Sequence, residues 1–430
     1  MNKEILRLAI PNIISNISVP LLSTVDTALM GHLSTLHLGA VGIGSMIFNF
    51  VYWNFGFLRM GTTGMTAQAF GKNDKSEMML TISRAMMVAL LLATIVILFQ
   101  KLIGQGSFYL MNISAEQTTL VAEYFYIRIW AAPATLGLFA MIGWFFGMQN
   151  AIYPLVLTIV INVVNILLSF LLVQQYNMGV AGVAWGTVIA QYVGFGLAFI
   201  LFWKKYRQHL QHYTRKATLE IEALSKFLLI NRDIFIRTFC LTFAFGFFYS
   251  RSANAGEVIL AVNVILLQFL NWMSYGIDGF AYASESLVGK YKGANNPDRL
   301  RQSVRLSFVW GMVLALIFSF AYLVFGENLL RIFTDQQNLI VASTPYLFWM
   351  FLFPLISTPC YIWDGIYIGL TASHAMRQTM LAALVIYLIA YFILYPMYQN
   401  HGLWAALLLF MAARGIIQWV WYRKRLRYFE

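Results

Sequence analysis

Long uninterrupted apolar runs recur along the whole chain, and they limit the folds open to it. Each run reaches 18 residues or more, enough to cross a hydrocarbon core about 30 Å thick. Of the 430 residues, 60% are hydrophobic and 11% are charged, whereas soluble domains carry about 25% charged residues. The sequence therefore predicts an all-α polytopic membrane protein. We expect twelve transmembrane helices, at 5–31, 38–70, 78–103, 118–147, 152–174, 180–203, 227–250, 257–289, 300–325, 338–369, 376–398 and 402–424.

Lysine and arginine residues gather in every second connection between the predicted helices. Because basic residues collect in cytoplasmic loops, we expect both chain termini on the cytoplasmic side. This topology, together with anionic lipid in the inner leaflet, accounts for the formal net charge of +12 without nucleic acid as a partner. The basic residues in these connections are Lys72, Lys75, Lys204, Lys205, Arg207, Arg215, Lys216, Lys290, Lys292, Arg299, Arg301, Arg377, Arg423, Lys424, Arg425 and Arg427.

The two halves of the chain resemble each other at a nearly constant offset. The segment 70–73 (FGKN) matches 292–295 (KGAN), and Gly147 matches Gly369 at the same offset. Each half has an even number of helices, so we expect two six-helix lobes related by a pseudo-two-fold axis along the membrane normal, as in many secondary transporters. The predicted domains are an N-lobe at 1–203, a cytoplasmic linker at 204–226 and a C-lobe at 227–430.

The first predicted helix carries one carboxylic acid, Asp26, after two prolines, Pro11 and Pro20. An acid near the middle of a membrane helix costs about 2.5 to 3.5 kcal/mol on insertion scales, so it usually faces a polar cavity and has a function. Proline removes a backbone hydrogen bond and makes a helix easier to bend. The combination indicates a proton-operated gate; the alternative is a structural aspartate bonded to a neighbour.

The second half holds three further candidate acids. Asp278 and Glu285 are seven residues apart, two turns along one helix face. Asp364 aligns with Gly143 in the repeat, so the C-lobe has an acid that the N-lobe lacks. Arg237 could neutralise such an acid and join two helices, and pairs of this kind are often structural.

Two other arginines, Arg128 and Arg414, are expected near helix ends, with their charges reaching the membrane surface. Cys240 and Cys360 lie inside apolar spans and are expected to be buried free thiols, with no disulfide and no metal site.

Five segments resemble the DinF branch of the multidrug and toxic compound extrusion (MATE) family. The resemblance covers nearly the whole chain and implies a bacterial inner-membrane antiporter that exports organic, often cationic, amphipathic compounds against an inward proton or sodium gradient. It also implies two six-helix lobes. The segments are 26–33 (DTALMGHL), 59–71 (RMGTTGMTAQAFG), 231–237 (NRDIFIR), 278–285 (DGFAYASE) and 364–369 (DGIYIG).

The resemblance also implies roles for single residues of the N-lobe. Asp26 stands where the family has its coupling carboxylate, Pro11 where the first helix bends, and Asn165 where an asparagine joins the network of that acid. Asn162 and Thr187 are further candidates for the network. For Asn162 and Asn165 the alternative is a hydrogen bond between helices with no role in coupling. The chain departs from the family pattern at Ser169, where many relatives carry a second acid. A serine can form hydrogen bonds but cannot hold a second charge, so the coupling role falls on Asp26.

The leading interpretation is an exporter, with no enzymatic activity and no cofactor, that exchanges inward protons for outward amphipathic small molecules. A lone carboxyl favours H+ as the coupling ion; a Na+ site at Asp364 and Glu285 is the alternative. A lipid-linked precursor flippase is a further alternative; it would require a large cationic central cavity, whereas the predicted helices carry a mixture of acids and arginines. A membrane-embedded enzyme would need a convergent His, Asp or Cys cluster, and the histidines lack metal-ligand spacing. We expect a monomer surrounded by membrane lipids.

Overall fold

The computed structural model describes residues 1–31, 34–111 and 113–426; the side chains at 19–28, 30, 31, 35, 115, 425 and 426 lie outside the description, as do residues 32, 33, 112 and 427–430. Residues 32 and 33, at the end of the segment 26–33, are therefore known from the sequence alone.

The described chain is helical from end to end and contains no β-strand. Its first half consists of α1 (Asn2–Gly31), α2 (Thr35–Phe55), α3 (Phe57–Gly71), α4 (Lys75–Leu98), α5 (Gln100–Leu110), α6 (Ala115–Arg128), α7 (Ala132–Gly147), α8 (Ile152–Phe170), α9 (Gly179–Tyr206) and α10 (Arg215–Thr218). Its second half consists of α11 (Ile221–Asn254), α12 (Glu257–Gly293), α13 (Pro297–Phe333), α14 (Gln337–Ser343), α15 (Leu347–Gly369), α16 (Ser373–Tyr398) and α17 (Asn400–Trp421).

These elements confirm the predicted fold class. Ten helical stretches of the described residues are long and apolar enough to cross a membrane. Together with α1 and α11 they account for the twelve predicted helices. Several spans are interrupted: α2 passes into α3 at Gly56, and a short 3₁₀ turn at Ile129–Ala131 joins α6 to α7. The apolar pattern does not reveal such breaks, because each of them lies inside one continuous membrane-length stretch.

The chain forms two compact units. The N-terminal unit is Ile14–Leu228, and the C-terminal unit combines Met1–Ile13 with Leu229–Glu430. In the N-terminal unit α7 packs against α3 and α4, while α8 packs along α9. In the C-terminal unit α15 packs against α12, α13 and α17. The candidate residues Asn165 and Asp364 lie on α8 and α15, which belong to these packed groups.

The internal repeat is visible in the backbone. Six described non-glycine residues have positive φ, and they form three pairs with one common sequence separation: Asn73 with Asn295, Gln149 with Thr371, and Asn177 with Gln399. Positive φ is uncommon outside glycine, so three coincidences at one offset reflect a duplicated chain path. Helix starts repeat as well, because the side chains of Asp74 and Asn296 cap α4 and α13 in the same way.

Close helix packing fixes the repeat register more sharply than the sequence does. Gly143 on α7 lies against the Arg59 carbonyl, and Gly365 on α15 lies against the Ala281 carbonyl. The two glycines are 222 residues apart, as are the members of each positive-φ pair. The residues whose carbonyls they meet, Arg59 and Ala281, have the same separation. Gly365, rather than Asp364, is therefore the counterpart of Gly143. The counterpart of Asp364 is Ile142, and the C-terminal unit still has an acid that the other unit lacks.

Candidate functional site

Asp26 and Pro20 lie in α1, a helix that continues unbroken from Asn2 to Gly31, but their side chains are outside the described part of the chain. The position of α1 is given by its neighbours. Ser15 donates a hydrogen bond to the Thr158 hydroxyl at 2.8 Å. One turn further along, the Asn162 side-chain amide donates to the Ser18 hydroxyl at 3.2 Å. Residue numbers increase together along both helices, so α1 and α8 run in the same direction.

Three of the predicted network residues lie together between α8 and α9. The Asn165 amide donates to the Thr187 hydroxyl at 2.8 Å, and that hydroxyl donates to the Val183 carbonyl at 3.0 Å. Ser169 lies one turn beyond Asn165 and packs against Gly186, where an added Cβ would come within 2.6 Å of the serine oxygen. Asn165, Ser169 and Thr187 are all buried. The fourth predicted member, Asn162, instead contacts α1.

Two polar atoms of this cluster have no hydrogen-bond partner within the described residues: Asn165 Oδ1 and Ser169 Oγ. Buried polar atoms are seldom left unpaired, since each one costs about 1 to 3 kcal/mol. The amide oxygen can only accept a hydrogen bond, whereas the serine hydroxyl can donate one. The cluster therefore offers one acceptor and one donor to a further polar group.

The helix α1 belongs to both compact units. Its residues Met1–Ile13 pack with the C-terminal unit, and the helix from Ile14 onward packs with the N-terminal unit. Pro11 is buried just before this division and has no N–H for the helix ladder. Next to it, the Asn12 side-chain amide donates to the Leu8 carbonyl at 2.9 Å. The proline at which the family resemblance implies a bend thus lies where α1 passes from one unit to the other.

The first turn of α1 is held by α12. The Tyr291 hydroxyl donates to the Glu4 carboxylate at 2.6 Å, and the Lys290 ammonium donates to the same oxygen at 3.2 Å. Partial burial raises the pKa of Glu4, but the hydrogen bonds from Tyr291 and Lys290 lower it by more than burial raises it. The pKa of Glu4 therefore lies below its ordinary value. Further along, Gly279 of α12 lies against the Ala9 carbonyl and Ile13.

Asp364 lies at the centre of a buried ionic cluster in the C-terminal unit. Its Oδ2 accepts hydrogen bonds from Arg237 on α11 and from Arg414 on α17, the latter at 2.7 Å. Its Oδ1 accepts a hydrogen bond from Gln418 at 2.7 Å. The acid joins α15 to α11 and α17. The prediction that Arg237 neutralises an acid is thus realised in this geometry.

The expectation for Arg414 is wrong. It lies in the interior of α17 with a side chain only 1% exposed, and does not reach the membrane surface. The sequence misleads here because α17 is apolar around Arg414, and its partner is distant along the chain. The expectation for Arg128 is not met either, because α6 continues through the turn at Ile129–Ala131 into α7 and Arg128 lies in the middle of the span Glu116–Gly147. Its guanidinium lies 5.3 Å from the Phe48 ring centre.

The other two candidate acids lie on α12, close to the same helix. Glu285 is buried, and its backbone carbonyl faces Gly369 of α15. Asp278 is half-buried and near enough to Cys360 and Tyr361 for its charge to act on both. Cys240 and Cys360 are both buried, as predicted.

The three described side chains that are hydrogen-bonded to Asp364 are all donors. A sodium ion requires several oxygen ligands, since it is a hard cation, whereas Arg237, Arg414 and Gln418 present N–H groups and two positive charges to this carboxylate. Within the described residues, no three His, Cys, Asp or Glu side chains are grouped so as to hold a metal ion.

Comparison with known proteins agrees with this architecture. The sequence profile of the family described as MatE matches the chain twice, at residues 11–171 and 234–395. The chain is 34% identical to the DNA damage-inducible protein F of Escherichia coli (strain K12) over 96% of this chain and 90% of that protein. It is 22% identical to the probable multidrug resistance protein NorM of Thermotoga maritima, over 80% of this chain and 74% of that protein.

A solved structure shares the fold. A crystal structure of MATE in the bent conformation superposes with a TM-score of 0.90 at 19% identity, covering 100% of this chain and 96% of that one. The twofold profile match, the DinF relative and the shared fold together show that the chain is a membrane protein of the multidrug and toxic compound extrusion (MATE) family.

Proposed function

We propose that this protein is a proton-coupled exporter, which exchanges inward protons for outward organic, often cationic, amphipathic compounds by alternating access. The Thermotoga maritima relative carries multidrug resistance in its name, which supports this substrate class. We further propose that it acts as a monomer in a bacterial inner membrane, with both termini in the cytoplasm and with no enzymatic activity or cofactor.

The observation that carries the proposal is the parallel register of α1 and α8. Contacts join Ser15 to Thr158 and Ser18 to Asn162, offsets of 143 and 144 residues. Both helices rise by about 1.5 Å per residue, so the same offset brings position 26 level with positions 169 and 170. We infer that Asp26 lies level with Ser169, one turn from Asn165, in the buried cluster whose Ser169 hydroxyl and Asn165 oxygen have no partner among the described residues.

With Asp26 at this level, we expect its two protonation states to have different partners. A protonated Asp26 can donate to the Asn165 oxygen, whereas an ionised Asp26 can accept from the Ser169 hydroxyl. Partial removal from water raises the pKa of a lone carboxyl, so proton loading and release depend on its surroundings. A cationic substrate and a proton then compete for one negative site, which is the minimal requirement of antiport.

The path of α1 through both units supports coupling by helix bending. Protonation removes the charge of Asp26 on the part of α1 that belongs to the N-terminal unit. Pro11 lies just before the division, where a missing backbone hydrogen bond eases bending, and Pro20 supplies a second such point. Each charge moved inward across 100 mV contributes about 2.3 kcal/mol, before any pH difference is added.

The sodium alternative would place the ion at Asp364 and Glu285. The two arginines and the amide that bond Asp364 argue against a cation there, because it would have to displace them. This is why we assign coupling to the N-terminal unit.

The test is substrate efflux from proteoliposomes under an imposed pH gradient without sodium. We expect the natural protein to transport and Asp26→Asn to lose transport while folding normally, because asparagine resembles a protonated aspartate but cannot release a proton. Asp298→Asn, a matched change at an exposed position near the start of α13, should leave transport unchanged.

The proposal is wrong if only an inward Na+ gradient drives transport, and if Asp364→Asn stops transport in a well-folded protein while Asp26→Asn does not. Normal proton-driven efflux by Asp26→Asn would likewise refute the role of that residue.

A further inference from the structure

A large cavity opens on the C-terminal unit between α13, α15 and α17. Its volume is about 1120 Å³, above the 300 to 1,000 Å³ typical of small-molecule pockets. Its polar side chains stand at one end and its apolar side chains along the rest. We call this cavity the α13–α17 groove.

Three arginines form the polar end of the groove. Arg301 and Arg305 are four residues apart and share one face of α13, and Arg423 follows the end of α17. The Arg423 guanidinium lies 4.5 Å from the Trp419 ring centre. All three arginines are exposed, and the described residues that line the groove include no aspartate or glutamate. This end of the groove therefore presents three basic side chains.

Aromatic and aliphatic side chains line the remainder. Phe308 lies one turn beyond Arg305 and meets the Trp363 ring edge-on, with ring centres 5.0 Å apart. Trp363 is itself buried, whereas Ile416 and Trp419 on α17 are 60% and 44% exposed. These exposed apolar side chains belong to helices that are long and apolar enough to cross a membrane, where an exposed apolar side chain would meet lipid hydrocarbon.

We propose that the groove binds an anionic glycerophospholipid, with its phosphate at Arg301, Arg305 and Arg423 and its acyl chains along Phe308 and Trp419. Basic pockets between transmembrane helices on the cytoplasmic side bind acidic headgroups of lipids, and the positive-inside pattern assigns this end of α13 to the cytoplasm. A soluble anion would use only the arginines, and a neutral lipid only the apolar wall. An anionic lipid satisfies both, and it is the abundant anionic amphiphile of the inner leaflet.

The bound lipid holds α13 and α17 against α15, which carries Asp364. The proposal is independent of the coupling ion and of the exported compound, because none of the three arginines belongs to the Asp26 or Asp364 clusters.

Binding can be measured by native mass spectrometry on the detergent-purified protein, titrated with phosphatidylglycerol or with phosphatidylethanolamine. We expect a retained complex with phosphatidylglycerol only. Changing Arg301, Arg305 and Arg423 together to Gln should weaken binding about a hundredfold, since each basic side chain near an anionic headgroup contributes about fivefold. The matched control replaces three exposed basic residues outside the groove, Lys204, Arg207 and Arg215, by Gln.

A second pair of variants tests the apolar wall without changing any charge. Ala412 lines the groove and its neighbour Ala413 does not. We therefore expect Ala412→Phe to weaken phosphatidylglycerol binding at least about tenfold and Ala413→Phe to leave it unchanged. A thermal unfolding scan of each variant separates lost binding from lost folding.

A competition experiment with the headgroup alone tests whether the acyl chains are needed for binding. sn-Glycerol 3-phosphate, which lacks acyl chains, should not compete with phosphatidylglycerol at equal concentration. The proposal is overturned if glycerol phosphate competes equally, if phosphatidylethanolamine binds as tightly, or if the arginine variants and the Lys204, Arg207, Arg215 control lose binding to the same degree.

Discussion

Two substitutions in the Asp364 cluster, Asp364→Asn and Arg414→Gln, should reduce the stability of the protein to different degrees. Counting the groups in hydrogen-bond contact, Arg237, Arg414 and Asp364 carry a net charge of +1, and all three are buried. Asp364→Asn leaves two guanidinium groups without a counter-charge. Arg414→Gln leaves one arginine paired with one acid. The first variant should therefore be less stable than the second, although each changes one charge.

The magnitudes follow from the burial. Leaving a buried charge uncompensated costs about 3 to 5 kcal/mol, which we expect for Asp364→Asn. Losing one charge-assisted hydrogen bond costs about 1.5 to 3 kcal/mol, which we expect for Arg414→Gln. The double variant should be more stable than Asp364→Asn alone, because it removes one of the two uncompensated charges. This recovery is a non-additive effect that a purely steric role for Asp364 would not produce.

The chain contains its own reporter for this measurement. Its two cysteines, Cys240 and Cys360, are buried and both belong to the C-terminal unit. A thiol-reactive fluorophore therefore reports the unfolding of that unit as the temperature rises. If Asp364→Asn is as stable as Arg414→Gln, or if the double variant is the least stable of the three, the electrostatic reasoning fails. The result also decides how a transport defect in Asp364→Asn should be interpreted.

Three further predictions concern topology, packing and pH. A cysteine introduced at Gln336 should react with an impermeant thiol reagent in intact cells and one at Gln211 should not; the reverse pattern would overturn the orientation. Gly365→Ala should cost about 1 to 3 kcal/mol in thermal unfolding, because its Cβ would collide with an α12 carbonyl, whereas Gly246→Ala meets open space and should be tolerated. The pKa of Glu4 is lowered in the folded state, so its contribution is complete above about pH 4.3, the unfolded value, and is lost as the pH falls through the folded pKa. Measured by hydrogen exchange relative to the intrinsic rate at each pH, the protection of the first amides of α1 should fall in acid by less than about 1 kcal/mol, since Glu4 is partly exposed. In Glu4→Gln this loss of protection should be absent.

Most of the fold could be predicted because the membrane imposes it. A span needs an apolar run of fixed length, and this signal is local, so α8, α12 and α16 coincide with predicted helices to within a few residues. The internal repeat can also be recognised from the sequence, since Gly147 and Gly369 have the same separation as the repeated backbone features of the structure. The register read from the sequence differs by one residue at Asp364, because the packing that fixes it involves glycines and backbone carbonyls.

The sites are harder to predict, because their geometry depends on residues far apart in the sequence. Asn165 and Thr187 are predicted as one network, and they do bond to each other. Arg414 is misplaced by the sequence, since no local signal connects it to Asp364, 50 residues earlier. The division of α1 between two compact units is not predicted either, as a continuous apolar helix carries no mark of where its packing partners change.

The division of α1 between the two compact units means that they are joined by two peptide connections rather than one. The chain passes between the compact units twice, once within α1 after Ile13 and once after Leu228. A protease cut in the 204–226 connection would therefore leave one peptide link intact. A fragment covering 229–430 would lack a helical segment that covers Gly279, while the fragment 1–228 would carry that segment at its own N-terminus. Co-expressed halves should accordingly reassociate through the first thirteen residues, as in fragment complementation, and deleting 1–13 from the first half should prevent it.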